Sequence, residues 1–301
     1  MGRELAETFD VCRETFAEAD GALGEPISRL CFNGPEEQLT LTANTQPAIL
    51  AMSVAVDRLL RNRGHEPAFL AGHSLGEYSA HVAAGTIGFA DALRIVRRRG
   101  EYMQAAVPVG EGAMAAVIGL GRDGVEQACR ETADGEVVSA ANWNAPGQVT
   151  IAGTAAAVAR AGARARELGA RRVMPLPVSA PFHCELMQPA EARLAPELRA
   201  LVSATPSVPV VANVDAEPKR SAPDSIEALV RQVSAPVQWT SVVERLAAEG
   251  VTTLIEVGPG RVLSGLARKI DRSLTVANVQ DPSSLEKAEA ALAGGRVGAV
   301  G

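Results

Sequence analysis

Ser74 is the residue of this chain best placed to act as a nucleophile. It lies in the run Gly72-His73-Ser74-Leu75-Gly76, directly after an apolar stretch (67–72) and before a helical pattern. This strand–turn–helix context is what a nucleophile elbow requires, because the sharp turn exposes the hydroxyl and the glycines let neighbouring backbone approach closely. The N-terminus of the following helix directs N–H groups towards a developing oxyanion. The alternative is a plain strand-to-helix turn.

A serine nucleophile needs a base within hydrogen-bond reach, and the chain has four histidines. His183 follows a predicted strand and stands at the start of a helix, where α/β sheets form their sites. His73 adjoins Ser74 but is expected to point the other way, and His65 and His81 fit less well. His183 is therefore the favoured base, against the alternative of a helix-start histidine without a function. A backbone carbonyl or Asp215 could orient its ring.

Arg99 is the one member of the run Arg97-Arg98-Arg99 that points towards an apolar side. It shares a helix face with Ile95 and Met103, whereas Arg97 is expected to pair with Glu101 at i+4. A buried guanidinium needs an anion or a cluster of acceptors. The partner could be an internal Asp or Glu, or the carboxylate of a substrate held by two hydrogen bonds.

The composition narrows the classes of partner. Of the 301 residues, 47% are hydrophobic and 3% aromatic, and the net charge is −6. Few aromatics and a negative charge disfavour nucleic acid and anionic membranes as partners, and no run is long and apolar enough to span a membrane. The four cysteines are far apart, which predicts reduced thiols in a cytoplasmic protein and no metal site.

Apolar runs of strand length alternate with helical patterns, which predicts the α/β class. Residues 110–178 have the order βαββαβ, the ferredoxin-like split motif, and are expected to form a small domain. This domain is inserted into a larger α/β domain with a parallel sheet, formed by residues 1–109 and 179–293. The Gly-rich residues 294–301 are expected to form a flexible tail.

Several blocks of the chain resemble the malonyl-CoA:acyl carrier protein transacylases. They are Gly72-His73-Ser74-Leu75-Gly76-Glu77-Tyr78-Ser79, Arg99-Gly100, Asn142-Trp143-Asn144-Ala145-Pro146-Gly147-Gln148, Pro175 to His183, Pro236-Val237-Gln238-Trp239 and Glu256-Val257-Gly258-Pro259-Gly260. The blocks come in the family's order and cover nearly the whole chain. The resemblance implies a hydrolase-like α/β domain with a ferredoxin-like small domain. It also implies transfer of malonyl from malonyl-CoA to acyl carrier protein without a cofactor, by an enzyme expected to be a monomer.

The resemblance also assigns roles to residues. It implies that Ser74 is acylated, that His183 is its base and that Arg99 binds the malonyl carboxylate. By the same resemblance the backbone carbonyl of Gln232 orients the histidine. The pocket residues that it implies are Gln46, Asn144 and Phe182, the last favouring malonyl over methylmalonyl.

One departure from the family concerns the oxyanion hole. Family members begin with a strand and a Gly-Gln-Gly-Ser-Gln loop, whereas Met1-Gly2-Arg3 matches the start of the next helix. The resemblance then leaves only the Leu75 N–H as an oxyanion donor and predicts a gap or a new edge in the sheet. A carrier-binding protein without catalysis is therefore kept as an alternative, and so is a serine esterase or thioesterase, which shares the elbow.

Acyl carrier proteins of this family are acidic, but this chain is itself negatively charged. Docking is therefore expected to use a local basic patch. The two candidates are Arg171-Arg172, at the start of the strand leading to His183, and Arg268-Lys269, at the end of a helix. The alternative is solvated charge at element ends, since cations are common at helix C-termini.

Overall fold

The computed structural model describes residues 1–178 and 180–294. Helices dominate it, as the alternating pattern predicts for an α/β chain. The fourteen α-helices of this described part are α1 (Arg3–Thr8), α2 (Asp10–Leu23), α3 (Ile27–Asn33), α4 (Glu36–Leu39), α5 (Thr42–Asn62), α6 (Leu75–Ala83), α7 (Phe89–Ala105), α8 (Arg122–Thr132), α9 (Ala155–Glu167), α10 (Gln188–Arg199), α11 (Ala222–Gln232), α12 (Trp239–Ala248), α13 (Val262–Ile270) and α14 (Pro282–Gly294).

The described residues also form nine strands. They are β1 (Leu70–Ala71), β2 (Gly112–Ile118), β3 (Val138–Ala145), β4 (Gln148–Thr154), β5 (Arg172–Pro175), β6 (Val210–Val211), β7 (Pro218–Lys219), β8 (Thr253–Val257) and β9 (Thr275–Val279). The run 67–72 thus contributes two strand residues, because a strand exists only where a neighbour accepts and donates its backbone hydrogen bonds.

One antiparallel sheet is formed by residues 112–175. Its strand order is β3-β4-β2-β5, and Gln148, Ile118 and Arg172 lie in one row across three of these strands. Helices α8 and α9 pack against it through a core that includes Val117, Trp143 and Ile151. This region therefore has its own apolar core.

The parallel pairing expected in the rest of the chain is present, but the strands do not join into one sheet. β1 pairs with β6 and β8 pairs with β9, both parallel, and the antiparallel β7 extends the first pair. A cavity of about 720 Å³ is lined by both β1 and β8, together with residues of α5, α6, α12 and α13. β1 and β8 therefore belong to different sheets and face each other across this cavity.

Helices α5 and α7 form the core beneath the site. Both helices contribute fully buried side chains, namely Leu50, Ala51 and Ala55 of α5 and Ala92 and Val96 of α7. These residues belong to the largest apolar cluster of the described residues. Near the N-terminus, α1 and α2 are separate helices because Phe9 between them is extended. The flexible tail was expected to begin at Gly294, but this residue ends α14. Residues 295–301 lie outside the described part.

Candidate active site

The strand-to-helix turn at Ser74 has the geometry of a nucleophile elbow. Ser74 has φ 52° and ψ −107°, between β1 and α6, which is strained backbone for a residue with a Cβ. A Cβ on Gly72 would lie 2.0 Å from the carbonyl carbon of Gly76, so only glycine fits there. Asn213 holds the turn: its Oδ1 accepts from the Ser74 N–H at 2.7 Å and its Nδ2 donates to the Gly72 carbonyl at 2.7 Å.

Ser74 and His183 are in direct hydrogen-bond contact. The serine Oγ lies 2.7 Å from the histidine Nε2, and Nδ1 lies 3.0 Å from the carbonyl oxygen of Gln232. A carbonyl only accepts, so Nδ1 carries the proton and Nε2 is left to accept from the serine hydroxyl. Asp215 instead pairs with Lys219 and Arg231. The group that orients the His183 ring is therefore the Gln232 carbonyl and not Asp215.

His183 is held neutral by its surroundings. It is 4% exposed, and burial, followed by the charge of Arg99 and then His73, lowers its pKa to about 3. Its backbone has φ 58°, so the nucleophile and its partner both lie on strained backbone. A neutral imidazole at pH 7 can accept a proton from Ser74 without first losing one.

Arg99 lies beside the nucleophile and is 2% exposed. One terminal nitrogen donates to Gln46 Oε1 at 2.8 Å, and the other to Ser74 Oγ at 3.0 Å and Gln232 Oε1 at 3.1 Å. These acceptors are all neutral, and burial lowers the pKa of Arg99. The charge of the nearby Glu77 opposes this lowering of the pKa, but no carboxylate is among the three acceptors. A desolvated cation without a hydrogen-bonded carboxylate favours the arrival of an anion.

The other two arginines of the run pair with carboxylates outside α7. Arg98 donates to Glu197, as an exposed pair. Arg97 pairs with Glu25 of the loop before α3, so the expected Arg97–Glu101 pair is wrong. The i+4 rule identifies a possible neighbour on the same helix, and here a carboxylate from another segment is the one in contact.

The remaining predicted pocket residues surround this centre. Asn144 Oδ1 lies 2.9 Å from Nε2 of His73, next to the nucleophile. Phe182 packs between two apolar clusters that include Met114 and Met187. Leu75 begins α6, so its N–H lies in the first turn, where helical N–H groups have no partner within the helix.

The two basic pairs lie at one end of the antiparallel sheet. Arg171 and Arg172 are exposed, and Arg172 opens β5. Lys269 Nζ donates to Gln148 Oε1 at 2.9 Å, and Gln148 is in the same cross-strand row as Arg172. Arg268 donates to the carbonyl of Val276. The turn after β3 at this end follows Asn144, which contacts His73.

Two residues of the site were given no role from the sequence. Asn213 holds the elbow, and its own N–H donates to Glu77 Oε2 at 2.9 Å. Glu77 belongs to the motif that follows Ser74, which by itself indicates no role for it. Their contacts join segments more than 130 residues apart, so no local pattern indicates them.

No helix of the described residues is long and apolar enough to cross a membrane. Within the same residues, no group of three or more His, Cys, Asp or Glu side chains is placed to hold a metal ion.

The chain is similar to known proteins along nearly all its length. Residues 1–291 match the family described as "Acyl transferase domain". A malonyl CoA-acyl carrier protein transacylase of Salmonella typhimurium is 51% identical over 289 residues, 96% of this chain and 94% of that protein. The Bacillus subtilis protein of the same name is 47% identical, over 96% and 91%.

Solved structures agree with these sequence matches. An acyl carrier protein S-malonyltransferase from Vibrio cholerae superposes with a TM-score of 0.94 at 49% identity, covering 95% of this chain and 94% of that one. A malonyl-transacylase in complex with its type II PKS acyl-carrier protein gives 0.94 at 49% identity, over 96% and 94%.

Proposed function

The chain belongs to the acyl transferase domain family, and on that premise we propose that it transfers malonyl from malonyl-CoA to the phosphopantetheine thiol of an acyl carrier protein. The observation that carries the malonyl assignment is Arg99, a buried cation 3.0 Å from the Ser74 Oγ whose partners are neutral. The names of the similar proteins support the same substrates, and the solved complex supports the carrier.

The first half-reaction acylates the enzyme. His183 Nε2 takes the hydroxyl proton of Ser74 while Oγ attacks the thioester carbonyl. The oxyanion that forms is stabilised by the Leu75 N–H at the positive end of α6. The carbon–sulfur bond then breaks, the CoA thiolate takes the proton from the imidazolium, and malonyl remains on Ser74 as an ester.

The second half-reaction reverses these steps with a new thiol. His183 takes the proton of the phosphopantetheine thiol, and the thiolate attacks the ester carbonyl. The Ser74 oxygen leaves and recovers its proton from His183. The Gln232 carbonyl keeps the Nδ1–H in place in both halves, which stabilises the transient imidazolium.

Substrate selection rests on Arg99. Its fork is held by Gln46 and Gln232, which orient it to receive an anion. A malonyl carboxylate satisfies the buried charge with two hydrogen bonds, whereas acetyl leaves it without an anion. Asn144 lines the pocket, and Phe182, directly before His183, limits branching next to the carboxylate and so favours malonyl over methylmalonyl.

We infer a division of the chain into two domains. Residues 1–109 and 179–293 form a hydrolase-like catalytic domain, supported by the strand–elbow–helix at Ser74 and the parallel pairs. Residues 110–178 form a ferredoxin-like small domain, supported by the order β3-β4-β2-β5 and by a separate core. The reaction then takes place where His183, just after the small domain, meets Ser74.

Carrier docking is assigned to the end of the small sheet that carries the basic pairs. Arg171, Arg172, Arg268 and Lys269 lie around the turn that leads to Asn144 and the nucleophile. Their local charge attracts an acidic carrier although the whole chain is negative. The chemistry above requires no cofactor, and we place the enzyme in the cytoplasm, where its buried free cysteines remain reduced.

Malonyl transfer is tested with radiolabelled malonyl-CoA and a phosphopantetheinylated carrier protein. The transacylase predicts a burst of label on the enzyme, followed by its appearance on the carrier. Release of the label to water instead would identify an esterase or thioesterase. Carrier binding without any labelled enzyme would identify a carrier-binding protein and overturn the proposal.

A further inference from the structure

A buried carboxylate that the mechanism does not use lies directly behind the nucleophile. Glu77, on the first turn of α6, is completely buried. Its Oε2 accepts the Gln232 amide at 2.8 Å and the Asn213 N–H at 2.9 Å. Burying a carboxylate is unfavourable unless its hydrogen bonds are made, so its position calls for a reason.

The hydrogen bond from the Gln232 amide connects Glu77 with the residue that contacts both His183 and Arg99. The Gln232 amide also donates to the Ser74 carbonyl at 2.9 Å, and its Oε1 accepts from Arg99. The backbone carbonyl of the same residue accepts from His183 Nδ1. Gln232 therefore supports Arg99 through its side chain and His183 through its backbone carbonyl.

The hydrogen bond from the Asn213 N–H connects Glu77 with the turn that carries Ser74. Asn213, whose N–H is held by Glu77, uses both side-chain atoms on the backbone of Ser74 and Gly72. These bonds hold the strained backbone of the nucleophile. One carboxylate oxygen thus connects the supports of all three groups that the reaction needs.

We propose that Glu77 is a positioning residue that holds Ser74, His183 and Arg99 in register through Asn213 and Gln232. Glu77 supplies one oxygen, Oε2, that accepts two hydrogen bonds. Its second oxygen, Oε1, is buried without a hydrogen-bond partner in the described part of the chain. Burial raises the pKa of Glu77 to about 7, and a proton on Oε1 leaves both bonds to Oε2 intact.

The acceptor role is tested by comparing Glu77→Gln with Glu77→Met. Both substitutions keep the volume and remove the charge, but only glutamine keeps an oxygen for the two donors. A displacement of about 1 Å in an active site costs about 100-fold in rate. We therefore expect Glu77→Met to lose about 100-fold in acylation rate, and Glu77→Gln to exceed Glu77→Met at least tenfold, on the same principle.

The pattern of loss separates a positioning role from the binding of substrate. Glu77→Met should slow loading from malonyl-CoA and from acetyl-CoA alike, because elbow and base are displaced, whereas Arg99→Ala should lose malonyl alone. Ser79→Ala is the matched control on α6, since the Ser79 hydroxyl is buried without a hydrogen-bond partner in the described residues. It should load at the parent rate.

A second readout does not depend on turnover. Nitrogen-15 NMR of the histidines should show His183 as the Nδ1–H tautomer in the parent and in Glu77→Gln, and as a mixture in Glu77→Met. The activity readout rests on the proposed function. If the parent does not load malonyl, that function fails, while the tautomer still tests Glu77.

Two results would overturn the inference. One is a folded Glu77→Met protein with both loading rates within about threefold of the parent and an unchanged tautomer, well short of the 100-fold loss. The other is a Glu77→Gln protein as slow as Glu77→Met. If Glu77→Met does not fold, Gln232→Leu takes its place, because it removes the amide that Glu77 holds and keeps the carbonyl. Full activity of Gln232→Leu would equally contradict the inference.

Discussion

At the scale of single residues, the arrangement of Arg99 explains both its burial and its selectivity. The Arg99 guanidinium is 2% exposed and donates to amide and hydroxyl oxygens rather than to a carboxylate. Gln46 and Gln232 keep it extended towards Ser74, so a substrate carboxylate meets a fork that is already oriented. Preorganisation of this kind reduces the cost of binding.

Arg99→Ala should therefore reverse the acyl preference. Loss of one partner of a buried charge pair costs about 2–5 kcal/mol, which is about 30-fold to about 4,000-fold in kcat/KM for malonyl-CoA. Acetyl loading should be kept or increased. The measurement is loading from the two thioesters in competition, with Arg98→Ala as control, because Arg98 is exposed and paired with Glu197. Unchanged selectivity in Arg99→Ala would make that arginine structural.

The pH dependence follows from the environment of His183. Its pKa is lowered to about 3 in the free enzyme, so the neutral base persists as the pH falls below 6.5 and is lost only near pH 3. The kcat/KM for malonyl-CoA reports the free enzyme and should stay nearly constant between pH 7.5 and about pH 5. Circular dichroism at each pH checks the fold. A fall with a midpoint near 6.5 would contradict the assigned environment of the base.

At the scale of elements, the turn between β1 and α6 depends on Gly72. In Gly72→Ala the new Cβ would overlap the backbone of Gly76, so α6 must shift and Ser74 with it. We expect near-complete loss of acylation and a decrease of about 1–3 kcal/mol in the free energy of unfolding. Gly265→Ala on α13 is the control: its Cβ meets open space and should stabilise slightly. Equal activity of the two variants would show that the elbow does not need this close approach.

The sequence predicts the elements of this fold better than it predicts their pairing. The order βαββαβ was readable over 110–178 because each strand pairs within about sixty residues of chain. Which of the parallel strands pair was not readable, because β1 pairs with β6 about 140 positions away and the run 67–72 does not reveal where pairing stops. The helices α3, α4 and α14 were missed, as short or Ala-rich segments without a clear apolar face.

The residues of the site also differ in how far the sequence indicates them. Ser74 was evident from local context, and His183 and Arg99 from position and helix face, while the resemblance added Gln232 and Gln46. Which group orients His183 remained open until Gln232 and Asp215 were placed in space. Asn213 and Glu77 carry no local signal for their roles, because their hydrogen bonds depend on how distant segments meet.

At the scale of the whole molecule, docking must work against the net charge of −6. Reversing Arg171 and Arg172 to Glu should raise the KM for carrier protein about tenfold at low salt and weaken its salt dependence. Loading from malonyl-CoA should stay near the parent value. Arg268→Glu with Lys269→Glu should act in the same direction, since Lys269 contacts the same sheet end.

A control with equal charge change separates local docking from the overall field. Arg13→Glu with Arg199→Glu alters the net charge by the same amount at exposed positions of α2 and α10. It should leave the KM for carrier protein near that of the parent. If all three double variants behave alike, docking depends on total charge. Parent kinetics in both reversed pairs would place the carrier elsewhere.

The central claim is that malonyl passes through an ester on Ser74, and intact-mass spectrometry tests it most directly. The protein is mixed with malonyl-CoA, quenched in acid and weighed, and the modified peptide is then sequenced. We predict an increase by one malonyl group, located on Ser74, that disappears when phosphopantetheinylated carrier is added. Ser74→Ala should carry no adduct. A malonyl adduct on Ser74→Ala, or transfer to carrier by the parent without any adduct, would contradict the account.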